Sequence, residues 1–248
     1  MSEMLSSLSI RGILLDIEGT TTPIAFVHEV LFSYARAHVR SFLTAHFDSD
    51  EVHADLSRLA HENAIDVSES LYPALLVGDS SPSQIESIGT YIDWLIAVDR
   101  KSTGLKSLQG KIWRQGYLDG SLKSQVFDDV PRALKRWHEA GLKVSIFSSG
   151  SVLAQQLLFA HTEAGDLTKF IVDYFDTNIG KKGESESYSK IASAMGLQAS
   201  EIVFISDVVS ELEAAEEAGM KTLLSIRPGN PPQPAAERFQ SIHDFNGI

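Results

Sequence analysis

The hydrophobic and polar positions of the chain change their spacing twice along its length. Residues 13–15 form a short apolar run, which is typical of a strand buried on both faces. From about residue 26 to residue 118 the apolar side chains recur every three or four positions, which predicts helices. From residue 130 onward, short apolar runs alternate with helical segments. We therefore predict one strand, a block of helices, and then a region of alternating strands and helices.

The alternating region predicts the architecture. Strands are predicted over residues 144–147, 202–205 and 222–226, with another contained within residues 170–175. Helices are predicted over residues 131–140, 152–160, 188–195 and 208–218. Repeated strand–helix–strand order indicates a parallel sheet with helices on both faces. We predict an α/β fold, a Rossmann-like doubly wound parallel sheet formed by residues 1–24 and 122–248.

The helical block interrupts this fold and is predicted to be an all-helical cap domain, inserted over residues 25–121. Its helices are predicted over residues 26–47, 50–65 and 105–118, with another that starts at Ser80, Ser81 and Pro82. No stretch between residues 25 and 120 shows the two-residue alternation of a half-buried strand.

Composition and charge narrow the classes of function. The 248 residues include no cysteine, which excludes disulfides, thiolate metal sites and a cysteine nucleophile. The net charge of −12 argues against nucleic acid or an anionic membrane as the main partner, but allows a small phosphorylated substrate. Residues 1–9 show no signal peptide, and no apolar run is long enough to span a membrane. We expect a cytoplasmic protein and a monomer.

Polar residues follow the predicted strands at the edge where an open α/β sheet binds its ligands. They are Asp16 with Glu18, Ser148 with Ser149, the loop containing Lys181 and Lys182, and Asp207. Carboxylates at two strand ends can hold Mg²⁺, which prefers oxygen ligands. Hydroxyl and ammonium groups suit the oxygens of a phosphoryl group, and an aspartate can attack phosphorus. The set therefore indicates phosphoryl chemistry, with the choice between the two lysines open.

The order of these residues resembles the haloacid dehalogenase superfamily, whose phosphatases share four short motifs. The first is Asp-x-Asp-Gly-Thr, which stands here as residues 16–20 with glutamate as the second acid. The others match Ser148 after its strand, a lysine best assigned to Lys182, and Asp207 with Glu211 four residues later. Several stretches are further similar to the enolase-phosphatase family of methionine salvage: Asp16–Ile24, Leu108–Arg114, Ser148–Val152, Gly183–Tyr188 and Arg227–Asn230.

This resemblance implies a reaction in two steps on 2,3-diketo-5-methylthiopentyl-1-phosphate: enolisation, then removal of the phosphate to give the acireductone 1,2-dihydroxy-3-keto-5-methylthiopentene. It implies that Asp16 attacks phosphorus and that Mg²⁺ is held by Asp16, Glu18 and Asp207. Ser148, Ser149 and Lys182 would position the phosphate. The second acid of the motif gives the metal its backbone carbonyl, so the side chain of Glu18 is expected to act as the general acid–base.

Other interpretations fit part of the pattern. A phosphatase of the same fold could act on another small phosphorylated metabolite. A signalling receiver domain also combines acids, Mg²⁺, a hydroxyl and a lysine, but it would be about half this length and would lack the helical insertion. Glu211 is equally consistent with an exposed helix acid and with a group that orients Lys182 or a metal-bound water.

Overall fold

The structure, a computed structural model, describes residues 9–73, 81–98, 100 and 102–248. Its described residues form a six-stranded sheet in the order β3-β2-β1-β4-β5-β6, in which every pair of neighbours is parallel. The strands are β1 Gly12–Leu15, β2 Lys143–Phe147, β3 Asp173–Phe175, β4 Ile202–Ser206, β5 Lys221–Ser225 and β6 Ser241–Ile242. The predicted fold class, a Rossmann-like α/β sheet, is confirmed.

Strand β1 lies at the centre of the sheet, between β2 and β4. The side chains of Ile13, Leu14 and Leu15 are completely buried. A central parallel strand is covered on both faces, so its sequence is continuously apolar rather than alternating. This is the physical origin of the apolar run that opens the sequence pattern.

One strand of the sheet was not predicted. Strand β3 lies within residues 170–175, where a strand is predicted, and Thr168–Phe170 forms a 3₁₀ turn before it. Strand β6, in contrast, is not predicted at all. It has two residues and exists through its pairing with β5, where Leu224 lies beside Ser241. Two residues are too few to show a period, so only the tertiary pairing defines this strand.

The helices agree with the predicted blocks but differ at their ends. They are α1 Phe32–His46, α2 Asp50–Ser68, α3 Ser81–Ala97, α4 Thr103–Asp119, α5 Val130–Glu139, α6 Val152–Ala160, α7 Ser185–Met195 and α8 Val209–Glu217. The first predicted helix is divided, because Phe26–Leu31 is a π-helix that precedes α1. The predicted start at Ser80 and the N-terminal residues 1–8 lie outside the described residues.

Local hydrogen bonds explain where several helices begin and end. The serine hydroxyls of Ser49, Ser102 and Ser151 accept hydrogen bonds from backbone amides in the first turns of α2, α4 and α6. Helix α7 ends at Gly196, whose φ of 66° is left-handed and favours glycine. These caps satisfy groups that a helix end would otherwise leave unpaired.

The chain divides into two compact units, Met1–Val27 with Lys123–Ile248 and His28–Leu122, which we call the sheet unit and the helical unit. The predicted boundaries are three residues and one residue earlier, at 24/25 and 121/122. The helical unit has its own core, in which Leu43, Leu59 and Leu108 are completely buried. Its role as a cap stays a prediction. Within the described part of the chain, we find no helix with the length and apolar character needed to cross a membrane.

Candidate active site

Strand register brings three of the predicted residues to one edge of the sheet. Leu15 pairs with Ile146 on one side and with Ile205 on the other. Asp16 therefore leaves the sheet beside the ends of β2 and β4, which lead to Ser148 and Asp207. The backbone amide of Asp16 still donates to the carbonyl of Ile205 at 3.0 Å, so the position of this residue is fixed by the sheet.

The turn after Asp16 depends on the carbonyl of Ile17 and on the conformation of Gly19. The oxygen of Ile17 accepts hydrogen bonds from the amides of Thr20, Thr21 and Thr22 at 2.9–3.2 Å. Gly19 has a φ of 71°, a left-handed conformation. A Cβ atom at this position would overlap the Asp207 carboxylate. Glycine is thus needed for the backbone angle and for the close approach of Asp207.

Lys182 is the lysine that reaches the site. Its ammonium lies 2.6 Å from Oδ1 of Asp16 and 2.6 Å from Oε2 of Glu211, and its side chain is only 9% exposed. Lys181 is 82% exposed and pairs with Glu184 on the surface. The choice between the two lysines that the sequence left open is therefore made by burial and direct contact.

Glu211 belongs to the same buried network. The hydroxyl of Ser206, the last residue of β4, donates to Glu211 Oε2 at 2.9 Å. Although burial alone lowers the pKa of an ammonium, the carboxylates of Asp16 and Glu211 raise the pKa of Lys182 above its usual value. Of the two readings of Glu211, the structure supports the one in which it orients Lys182.

Asp207 occupies an unfavourable electrostatic environment. Burial, together with the nearby charges of Asp16 and Glu211, raises the pKa of this carboxyl to about 7. The positive charge of Lys182 lowers the pKa of Asp207 in part, but the direct contacts of this ammonium are with Asp16 and Glu211. An additional cation between the carboxylates would relieve this repulsion, and a divalent ion with oxygen ligands fits such a site.

A metal ion at this site would need other oxygen ligands in addition to carboxylates. Across the described ranges, no three histidine, aspartate or glutamate side chains are grouped to hold a metal ion. The carboxylates of Asp16 and Asp207 would therefore need further oxygen ligands, such as a backbone carbonyl and water. Mg²⁺ usually keeps several waters, so two carboxylates and one carbonyl are a suitable set.

Ser148 and Ser149 lie in the loop after β2. The amide of Ser148 donates to the carbonyl of Phe175 at 3.1 Å, and its hydroxyl oxygen accepts from the amide of Gly150 at 3.2 Å. Both serines are half-buried. Buried Gln155 holds the loop by donating from Nε2 to the carbonyls of Gly150 and Phe175 at 2.9 and 2.8 Å.

Several residues at the site were not predicted from the sequence to have a role. Tyr188 is fully buried and donates from its hydroxyl to the carbonyl of Lys182 at 2.7 Å. Ser206 and Ser225 are buried hydroxyls at the ends of β4 and β5. A polar residue that ends an apolar strand is a signal visible in the sequence, but its partner is visible only in the structure.

A family model and full-length relatives match this chain over most of its residues. The family model for haloacid dehalogenase-like hydrolases matches residues 10–219. The enolase-phosphatase E1 of Synechococcus elongatus is 49% identical over 241 residues, which cover 97% of this chain and 98% of that protein. A probable bifunctional methylthioribulose-1-phosphate dehydratase/enolase-phosphatase E1 of Vitis vinifera is 44% identical over 242 residues, covering 96% of this chain and 47% of the plant protein.

A solved structure matches both units of the chain. The crystal structure of the UTR4 protein of Saccharomyces cerevisiae aligns with a TM-score of 0.76 and 35% sequence identity. The alignment covers 96% of this chain and all of the yeast chain. The similarity therefore extends over the residues of the sheet unit and of the helical unit.

Proposed function

Because the chain belongs to the haloacid dehalogenase-like hydrolases, and within them to the enolase-phosphatase E1 family, we propose that its buried sheet-edge site carries out both half-reactions. The substrate proposed is 2,3-diketo-5-methylthiopentyl-1-phosphate, which is enolised and then dephosphorylated to the acireductone of methionine salvage. The contact between Lys182 and Asp16, beside Asp207, carries the proposal. It brings an ammonium, the carboxylate proposed as nucleophile and a second acid to one edge of the sheet.

Asp16 is the proposed nucleophile. One oxygen of its carboxylate is held by Lys182, which leaves the other for attack on phosphorus. The new bond joins Asp16 to phosphorus, while the bond from phosphorus to the substrate oxygen breaks. Water then hydrolyses the aspartyl-phosphate and regenerates the carboxylate. Lys182, Ser148 and Ser149 would orient the phosphate oxygens, as fixed donors do in other phosphoryl-transfer sites.

Glu18 is the proposed general acid–base. Its side chain leaves the turn that follows Asp16 and is half-buried. It would move a proton during enolisation and later protonate the oxygen that leaves phosphorus. The extra methylene of glutamate extends its reach beyond that of aspartate. This reach suits a carbon acid next to a phosphate.

Mg²⁺ is the proposed cofactor, held by the carboxylates of Asp16 and Asp207 and by the backbone carbonyl of Glu18. When bound, it would supply positive charge to the phosphoryl oxygens. The raised pKa of Asp207 supports this assignment, because burial and, after it, the charges of Asp16 and Glu211 leave its carboxylate without enough compensating positive charge. The cytoplasmic location and the monomeric state stay predictions.

Two single substitutions test the proposed roles with the diketo substrate. Asp16→Asn is expected to abolish phosphate release while an enol absorbance still develops. Glu18→Gln is expected to prevent the enol from forming. Lys181→Met is the matched control, because this side chain lies on the surface and pairs with Glu184. Near-normal phosphate release by Asp16→Asn would falsify the assignment of the nucleophile.

A panel of phosphorylated metabolites tests the substrate. We expect turnover of the diketo-phosphate to exceed that of sugar and nucleotide phosphates. Equal turnover across the panel would instead support a phosphatase of broader specificity with the same fold.

A further inference from the structure

Ser225, the last residue of β5, and two residues of the loop after it bind the turn that follows Asp16 and contains Glu18. Ser225 Oγ donates to the carbonyl of Gly19 at 3.1 Å, and Asn230 Nδ2 donates to the same oxygen at 2.9 Å. Arg227 Nε donates to the next carbonyl, that of Thr20, at 3.2 Å. Two consecutive carbonyls immediately after Glu18 are thus held by three side chains.

Arg227 is itself rigidly fixed. Its guanidinium binds both carboxylate oxygens of Asp129 at 2.8 and 2.9 Å, and only 3% of its side chain is exposed. The guanidinium also lies over the rings of Phe127 and Phe245, at 4.6 and 4.4 Å from their centroids. A planar donor that is paired and stacked in this way has little freedom to move. Arg227 therefore offers the carbonyl of Thr20 a fixed partner.

The hydrogen bonds of the Asn230 side chain indicate a role other than packing. Its Nδ2 donates to the carbonyls of Gly19 and Ser225, which fixes the amide. Its Oδ1 is buried and has no hydrogen-bond partner among the described residues. This oxygen and the carboxylate of Asp207 approach Gly19 from the same side. An unpaired acceptor next to Asp207 can take a hydrogen bond from a water at the proposed cation site.

We propose that Ser225, Arg227 and Asn230 are positioning residues that hold the carbonyls of Gly19 and Thr20, and so fix the turn bearing Asp16 and Glu18 for both half-reactions. The inference rests on the proposed roles of those two acids. Because catalytic groups must stay within a fraction of an ångström of the reactive geometry, loosening this turn slows chemistry even when the fold survives.

Arg227 also donates to the carbonyl of His243, at 3.0 Å, in the C-terminal segment 241–248. A role limited to holding this segment must therefore be distinguished from a role in positioning the turn. Arg136 provides the matched control. It donates to the carbonyls of Phe245 and Ile248, and it thus holds the same segment without contacting the turn. A role limited to fixing the C-terminal segment predicts similar effects from Arg136→Ala and from changes to the three residues.

The experiment compares Asn230→Ala, Ser225→Ala, their double variant and Arg227→Lys in the full chain. We measure kcat and KM for phosphate release, the dissociation constant for Mg²⁺ alone by calorimetry, and the melting temperature. We expect Asn230→Ala to lower kcat by about 10- to 100-fold and to weaken Mg²⁺ binding, with KM unchanged. Ser225→Ala and Arg227→Lys should lower kcat in the same direction.

The double variant tests whether Ser225 and Asn230 act on the same oxygen, the carbonyl of Gly19. Ser225 and Asn230 donate to one oxygen, so their combined loss in kcat should be smaller than the product of the single losses. Arg136→Ala should keep the wild-type kcat. Should Asn230→Ala fail to fold, Ser225→Ala, which removes one hydroxyl, carries the same test.

Two results would overturn the inference: folded Asn230→Ala and Ser225→Ala proteins with wild-type kcat and Mg²⁺ binding, or an equal loss of kcat in Arg136→Ala. Wild type and Asp16→Asn are assayed in parallel. Turnover by Asp16→Asn would refute the proposed function of the acids, whatever the other variants do. Failure of the positioning inference can thus be distinguished from failure of the proposed function.

Discussion

At the scale of single residues, burial gives two adjacent lysines different chemistry. Lys182 is buried and pairs with the carboxylates of Asp16 and Glu211, whereas Lys181 extends into solvent and pairs with Glu184. An ion pair on the surface contributes little, because water competes for both charges. A buried pair fixes its members strongly, because removing one leaves the other unpaired in a medium of low polarity. The two positions therefore predict very different mutational effects.

We predict that Lys182→Met lowers kcat for phosphate release by about 100-fold or more, because a fixed cation next to the nucleophile is lost. Lys181→Met should leave kcat unchanged. Steady-state kinetics of both variants with the diketo substrate provide the measurement. Equal activities of the two variants would contradict the placement of Lys182 at the site.

Gly19 and Gly141 offer a second comparison at this scale. Both have a left-handed φ, 71° and 78°. A Cβ at Gly19 would overlap Asp207, while nothing lies within 4 Å of a Cβ at Gly141. Alanine at either position strains the backbone, but only alanine at Gly19 also displaces a proposed metal ligand.

We therefore predict that Gly141→Ala costs about 1 kcal/mol of unfolding free energy and keeps normal activity. Gly19→Ala should lose more stability and at least about 10-fold in kcat, because Asp207 must move. Denaturant unfolding and the phosphatase assay separate the two effects. A fully active Gly19→Ala would argue against the close packing of this turn on Asp207.

At the scale of elements, each helix of the helical unit has one buried face. In α4, Leu108 is completely buried, whereas Leu118 is 70% exposed, although both are leucines of the same helix. This helix packs on α1 and α2, whose core residues include Leu43 and Leu59. Tertiary packing, more than helix propensity, stabilises such a helix.

Leu108→Ala is expected to lower the free energy of unfolding by about 2–5 kcal/mol, because it removes buried methyl groups and leaves a cavity. Leu118→Ala should change it by less than about 0.5 kcal/mol. Chemical denaturation followed by circular dichroism measures both values. Equal effects would show that α4 does not bury the face containing Leu108.

At the scale of the whole molecule, the net charge of −12 contrasts with the site's need for cations. At this edge of the sheet unit, Lys182 contacts the carboxylates of Asp16 and Glu211, whose negative charges also act on the buried carboxyl of Asp207. A ligand that binds only the folded state stabilises that state. Bound Mg²⁺ should thus contribute to stability as well as to chemistry.

We predict that Mg²⁺ at about 100 times its dissociation constant raises the free energy of unfolding by about 2.7 kcal/mol, and the melting temperature by several degrees. Asp207→Asn should abolish this shift. Glu213→Gln, which changes a surface acid paired with Arg238, should retain it. An unchanged shift in Asp207→Asn would remove Asp207 from the proposed ligands. Thermal unfolding with and without the metal is the measurement.

Much of the fold could be predicted because its signals are local. The apolar run of β1 and the glycine that ends α7 reflect burial and backbone conformation over a few residues. The two-residue strand β6 and the π-helix Phe26–Leu31 could not be predicted, because neither leaves a distinctive periodic pattern. For β6 the decisive interaction is its pairing with β5.

The sequence by itself determined the α/β class, the helical insertion and the residue types at the strand ends, since these depend on periodicity and on the order of elements. Only the tertiary structure decided which lysine meets Asp16, that Glu211 pairs with this lysine, and that Arg227 and Asn230 bind the turn around Gly19. These contacts join residues far apart in the chain. Their existence depends on three-dimensional distance and burial, which no local pattern encodes.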